Sequence, residues 1–249
     1  MSQSTVAPRN GANGTTSEFA DWRDHTRVFL QPVAAPSILG LFGFSAATFI
    51  VTAYLVGWYG TASSPVLIFP FAVATGGIFQ GVAAVWSYRA RDGLATAVHG
   101  IWAAFWLAWG LVQLLVAVKV VPAPARGAAI PELGYWFFVL AAITGAAADA
   151  SLAENASLTA VLLPLAVGAA LLGVFVMVGG SVWEHLGGYV TMLSSITAFY
   201  AATAMMLAGS FGRTILPVGT RRRAGNVPGA RPVYPIEFEL GEPGVRHGQ

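Results

Sequence analysis

The chain of 249 residues contains no cysteine. A disulfide framework and a thiolate metal site are therefore excluded, and redox chemistry gives no hint of compartment. Charge is scarce: Asp, Glu, Lys and Arg make up 10% of the residues, against roughly 25% in soluble domains. Catalytic signatures are missing too. There is no HExxH, no GxSxG, no P-loop and no pair of carboxylates inside an apolar run, so no enzyme activity is expected. No cofactor, metal or nucleic-acid partner is expected either, since the one His within an apolar run (His99) has no second ligand near it. Residues 1–17 are rich in Ser, Thr, Gly, Asn and Pro without an apolar core, unlike a secretory signal.

What fills the chain instead is hydrophobic sequence, 56% of residues, with a mean hydropathy of +0.66. Apolar segments fall at about 37–58, 66–88, 94–118, 133–151, 156–178 and 186–208. Each is long enough to cross the roughly 30 Å hydrocarbon layer as a helix. The expected fold is an all-α integral membrane protein, a six-transmembrane-helix bundle occupying residues 37–219. Residues 1–36 read as a tail, with 18–30 suited to an amphipathic helix at the membrane surface. Residues 220–249, polar and rich in Pro and Gly, read as a second, disordered tail. If both tails lie on one side, that side carries 11 of the 13 Lys and Arg residues and the other carries only Lys119 and Arg126. The positive-inside rule makes the first side, and so both termini, cytoplasmic.

Polar residues inside the apolar runs are the candidate functional ones. In the third segment His99, Trp102, Trp106, Trp109 and Gln113 recur at steps of 3 and 4, one stripe of a helix. A helix in lipid hides His and Gln rather than exposing them, so the stripe is expected to face protein. Gln80 is the polar centre of the second segment, beside Gly76, Gly77, Ala84 and Ser87, all small. Its amide can donate to a carboxylate without carrying charge. Hydrogen bonding to a neighbouring helix backbone is the competing reading for Gln80, and simple packing the competing reading for Trp106 and Trp109. The charges Asp149, Glu154, Glu184 and His185 read as solvated loop residues. Pro164 is expected to kink the fifth helix. Arg213 is expected to cap the sixth and Pro217 to end it.

Four stretches carry a resemblance. The first segment opens APSILGLFGFSAATF, the second contains GGIFQGVAAVWSY, the third has Phe105–Trp106, and the last ends in FGRTILPVG at 211–219. In this order and spacing they resemble the succinate–acetate permease, or acetate uptake transporter (YaaH-like), family. The matching motif residues are Pro36, Leu39, Gly40, Leu41, Gly76, Gly77, Phe211, Gly212, Arg213 and Pro217. The resemblance implies a homohexamer in the plasma membrane, each subunit with a narrow path for acetate and related short monocarboxylates, with succinate as a further candidate. It implies movement that is proton-linked or channel-like. It places Phe44 and Trp102 at a hydrophobic constriction completed by a Leu of segment five, aligned to Leu163. Gln80, Ser87 and His99 are the candidate pathway residues, His99 because an ionisable side chain inside a span is a functional candidate, with a bond to a backbone carbonyl as its competing reading. Departures occur at Ala35, Ile38, Ser87 and His99, where the family has Asn, Pro, an acidic residue and an aromatic. From a rise of 1.5 Å per residue, Phe44, Gln80, Trp102 and Leu163 lie roughly 10–12 Å from one membrane edge, in one layer. Two alternatives stay open: a pore for a small neutral or ammonium-like solute, and a non-transporting membrane sensor.

Overall fold

The computed structural model describes residues 34–61, 63–90, 92–124 and 129–221. The expected interfacial helix at 18–30, Arg91, Arg126 and the tail from residue 222 lie outside the described residues. Among the described residues, six helices are long and apolar enough to span a membrane: α1 (Pro36–Leu55), α2 (Ser64–Ala90), α3 (Gly93–Ala117), α4 (Pro131–Ser151), α5 (Ala156–Val178) and α6 (Ser181–Phe211).

Local chemistry sets their ends. Pro36 and Pro131 occupy the first positions of α1 and α4, where a missing N–H costs nothing. Asp92 and Asn155 cap α3 and α5, accepting from Ala95 N at 2.9 Å and Leu158 N at 2.8 Å. Gly179 and Gly180, with φ of 74° and 96°, break α5 from α6. α6 therefore begins at Ser181, earlier than its hydropathy suggests. Glu184 and His185 belong to its first turns rather than to a loop, and Glu184 is buried.

Contacts run α1–α2–α3–α4–α5–α6–α1, closing a ring of helices. The α1, α3 and α5 N-termini lie at one end, here the near end, together with the C-terminus of α6. Small residues set the closest approaches, and these lie within one chain. Gly77 packs on Leu107 and Gly81 on Ala103, joining α2 to α3. Ser194, Ala198 and Ala202 form the fully buried face of α6.

Two helices are irregular, and each irregularity has a local cause. Pro164 has no N–H for the carbonyl of Ala160. That carbonyl accepts instead from Thr197 Oγ1 at 3.0 Å, and the next one, Val161 O, from Ser194 Oγ at 2.7 Å. Hydroxyls of α6 thus satisfy what the proline frees in α5, as a backbone away from water requires. In α2, Pro70 precedes a π-helical stretch, Val73–Phe79, which ends immediately before Gln80. Wide turns of this kind re-aim the residues that follow them.

The helix stop of α6 differs from the expected one. Gly212 in the left-handed region (φ 62°) ends it, and Arg213 makes no cap hydrogen bond among the described residues. Pro217 lies six residues past Phe211, inside a strap that crosses the near end. The strap carbonyls of Val218 and Gly219 accept from the first α5 amides, Ser157 N and Ala156 N, both at 3.0 Å. Pro217 O accepts from Tyr200 OH at 2.7 Å, and Arg221 Nη1 donates to Leu152 O at 2.6 Å. The 211–219 motif, with Arg221 just after it, therefore ties the chain leaving α6 to the start of α5 and the end of α4.

Candidate functional site

A cavity of about 1000 Å³ opens at the near end, between α1, α3, α5, α6 and the strap. Its rim is polar: Asp92, Glu154, Arg213 and Thr220 line it. Toward the middle of the bundle Leu41, Val98 and Leu158 line it, and its inner end reaches Phe44, Gln80, His99, Leu162 and Leu165.

The periodicity of α1 aims the first of these. Ser37, Leu41 and Phe44, at steps of 4 and 3, all line the cavity. At the inner end of this stripe the Phe44 ring meets Trp102 of α3 edge-on, 5.9 Å between centroids at 73°, the arrangement that aromatic quadrupoles favour. Both rings are 3% exposed. Trp102 is held from its other side, where Nε1 donates to Thr144 Oγ1 of α4 at 3.1 Å. Thr144 carries no sequence signal, being one hydroxyl in an apolar helix.

On the cavity side of this aromatic pair sit the polar pair Gln80 and His99, 1% and 3% exposed. Gln80 Nε2 donates to Gly76 O at 2.9 Å, and Gln80 Oε1 lies 3.4 Å from His99 Nδ1. An amide oxygen only accepts, so in this contact Nδ1 is the donor, and a neutral ring would keep its lone pair on Nε2. Both readings of Gln80 therefore apply at once: its amide nitrogen is used by its own helix, and its oxygen orients His99. His99 lies flat on Gly40. A Cβ there would fall 2.6 Å from both ring nitrogens, so only glycine admits the imidazole.

Leu163 is not with them. It is 56% exposed on the outside of the bundle, while Val161, Leu162 and Leu165 are each 1% exposed and face the cavity. Two residues along a helix is a rotation of about 200°, so the aligned position points the wrong way. Leu165 and Leu162 hold the place assigned to Leu163. Ser87 is fully buried, but its hydroxyl donates to Ala83 O at 2.8 Å and it does not border the cavity.

Other motif and stripe residues lie away from the cavity. Gly76 admits the Trp106 indole and Ala47 beside it. Leu39 and Phe211 face outward, 38% and 62% exposed. Trp106 is buried and packs edge-on against the half-buried Trp109 at 5.9 Å. No group of three His, Cys, Asp or Glu side chains that could hold a metal occurs among the described residues.

Comparison with known proteins fits this arrangement. Residues 23–219 match the GPR1/FUN34/yaaH family. The chain belongs to this family. Among its relatives is the succinate-acetate/proton symporter SatP of Escherichia coli K12, 27% identical over 188 residues that cover 75% of this chain and 96% of the relative. SatP of Shigella flexneri matches to the same extent. A solved structure described as the bacterial acetate channel SatP superimposes with a TM-score of 0.68 at 26% identity, covering 75% of this chain and 99% of that one. These relatives are described as a symporter and a channel, and this chain is a multi-pass membrane protein with the helix arrangement of the SatP structure.

Proposed function

We propose that this protein moves acetate and related short monocarboxylates across the membrane through a path inside each subunit. The near-end cavity is its vestibule and the Phe44–Trp102 pair, with Leu165, its hydrophobic gate. The observation that carries the reading is the order of layers: polar rim, apolar funnel, the Gln80–His99 pair, then a closed aromatic layer. Bulky apolar rings at a narrow point exclude hydrated ions. A weak acid that sheds its water, or binds a proton, crosses such a layer more easily than a hydrated anion. His99 Nε2 offers an acceptor to the hydroxyl of a protonated acid just before the gate. An ammonium ion would also find that lone pair, but it would then face a layer with no acceptor and no charge.

The distribution of Lys and Arg argues that the near end is cytoplasmic. Family membership favours a homohexamer in the plasma membrane, with residues 37–219 as the transport domain between the tails 1–36 and 220–249. The relatives are called both symporter and channel, so flux driven by a proton gradient and flux driven by acetate alone are separate outcomes.

Uptake of labelled acetate into proteoliposomes across an imposed pH step tests the reading, with urea and methylammonium as competitors. Uptake well above empty vesicles, reduced by propionate but not by urea or methylammonium, is expected. Competition by methylammonium would favour the ammonium-like pore, and no flux of any solute would favour a sensor.

A further inference from the structure

The α5 side of the gate is carried by a broken turn. Leu162 and Leu165, each 1% exposed and facing the cavity, flank Pro164. In an unbroken helix the backbone ladder fixes the rotation of every side chain. Here the rung from residue 164 to Ala160 O is missing, beside the two leucines whose rotation decides what faces the path.

Hydroxyls of α6 supply the missing hold. Thr197 Oγ1 has three carbonyls in reach: Ala160 O at 3.0 Å, Leu193 O at 3.1 Å and Ser194 O at 2.9 Å. A hydroxyl has one hydrogen to donate. Leu193 O and Ser194 O lie inside α6, where backbone amides serve them. Ala160 O has no amide, and a carbonyl left unpaired away from water is costly. The hydrogen therefore belongs to Ala160 O. Ser194 makes the same choice one residue on. Its neighbour Ser195 donates to Met192 O of its own helix at 2.7 Å, as serines in helices do. Ser194 Oγ, fully buried, instead reaches across to Val161 O at 2.7 Å.

These two bonds complete a seam. Gly187, Thr191, Ser194 and Thr197 follow each other on α6 at steps of 4, 3 and 3, so they share a face. A Cβ at Gly187 would meet Leu172, and a Cβ at Gly168 would meet Thr191. The part of α5 beyond Pro164 is thus held by close packing, and the turn before it by two hydroxyls. Neither Ser194 nor Thr197 borders the cavity.

We propose that Ser194 and Thr197 are positioning residues of the gate. They clamp the proline-broken turn of α5, and the clamp sets the rotation of Leu162 and Leu165 and with it the size of acid admitted. The inference rests on the transport reading above and adds to it two residues that act on selectivity without touching the substrate. A loosened clamp lets the leucines swing back, so bulkier acids gain more than acetate does.

The test measures labelled acetate and butyrate flux in proteoliposomes, and melting temperature in detergent, for T197V, T197S, S194A, S194T, P164A and P164A/T197V. T197V and S194A are expected to raise butyrate flux relative to acetate by about fivefold, the size of effect that one lost hydrogen bond produces. T197S and S194T keep the hydroxyls and are expected to stay close to the unaltered chain. P164A returns an N–H to Ala160 O and makes the Thr197 hydroxyl redundant. Adding T197V to P164A is therefore expected to move the flux ratio and the melting temperature far less than T197V does alone. An unchanged butyrate ratio in both T197V and S194A would overturn the positioning role, whatever happens to the melting temperature. Equal effects of T197V with and without the proline would overturn it too. Should T197V fail to assemble, S194A against S194T decides. Absence of acetate flux in the unaltered chain would instead remove the transport reading itself, while the melting temperatures of T197V, P164A and their combination would still report on the clamp.

Discussion

Replacing Trp102 by leucine is expected to raise the flux of bulkier carboxylates, such as butyrate or benzoate, by about tenfold relative to acetate. A lowering of a barrier by about 1.4 kcal/mol is sufficient for that. The reason lies in what closes the path. Phe44 and Trp102 meet edge to face, both almost wholly buried, and Thr144 fixes the indole from α4. Leucine keeps the layer apolar but removes the ring edge that spans the gap, so the size limit relaxes before the exclusion of water does. Alanine is the poorer choice, since emptying a buried Trp site costs about 3–5 kcal/mol of stability. Phenylalanine is the control: it keeps an aromatic edge and loses only the bond to Thr144, and is expected to stay close to the natural selectivity. Flux assays with a series of acids check this. A leucine variant with unchanged rate and unchanged size limit would place the gate elsewhere.

The second large effect is expected at Gly40. Alanine there puts a methyl group into the His99 ring. The ring must move, and its contact with Gln80 Oε1 at 3.4 Å breaks. Overpacking of this kind costs about 1–3 kcal/mol, and acetate flux is expected to fall by about tenfold as the displaced imidazole blocks the funnel. Because the cause is one overlap, the effects of G40A and H99A are expected not to add. In G40A/H99A the methyl occupies space that the ring has left, and stability should recover by about 1–2 kcal/mol relative to the additive sum, the usual scale for residues in contact. A thermal-melt double-mutant cycle measures it. Additive effects would mean that His99 is not seated on Gly40.

Much of this was legible in the sequence. Six long apolar runs between short connections dictate six helices, and the helical step of 3 to 4 residues aims Phe44 and Trp102 inward. Their partner on α5 was not legible. Leu162, Leu163 and Leu165 share one apolar run with no polar residue to mark its inner face, and an alignment shift of two residues turns the wrong leucine inward. Glu184 reads as a loop charge because hydropathy falls off around it, yet the paired positive-φ glycines at 179 and 180 start α6 earlier. The bond between Gln80 and His99 joins two helices, with a π-helical stretch leading directly into Gln80, which no residue pattern announces. The strap was visible only as a motif. Its work, satisfying the first amides of α5, depends on where the chain returns after α6.

The absence of cysteine gives the central claim a direct measurement. Single cysteines at Leu165 and at Leu163 differ by one rotation of the same helix, one facing the cavity and the other exposed on the outside of the bundle. With each variant in proteoliposomes, a small thiol reagent applied from the near side is followed by acetate flux and by labelling rate. The path described here predicts that modification of L165C abolishes most of the flux and is slowed by acetate, while modification of L163C changes neither. Block of flux through L163C, with L165C silent, would contradict it.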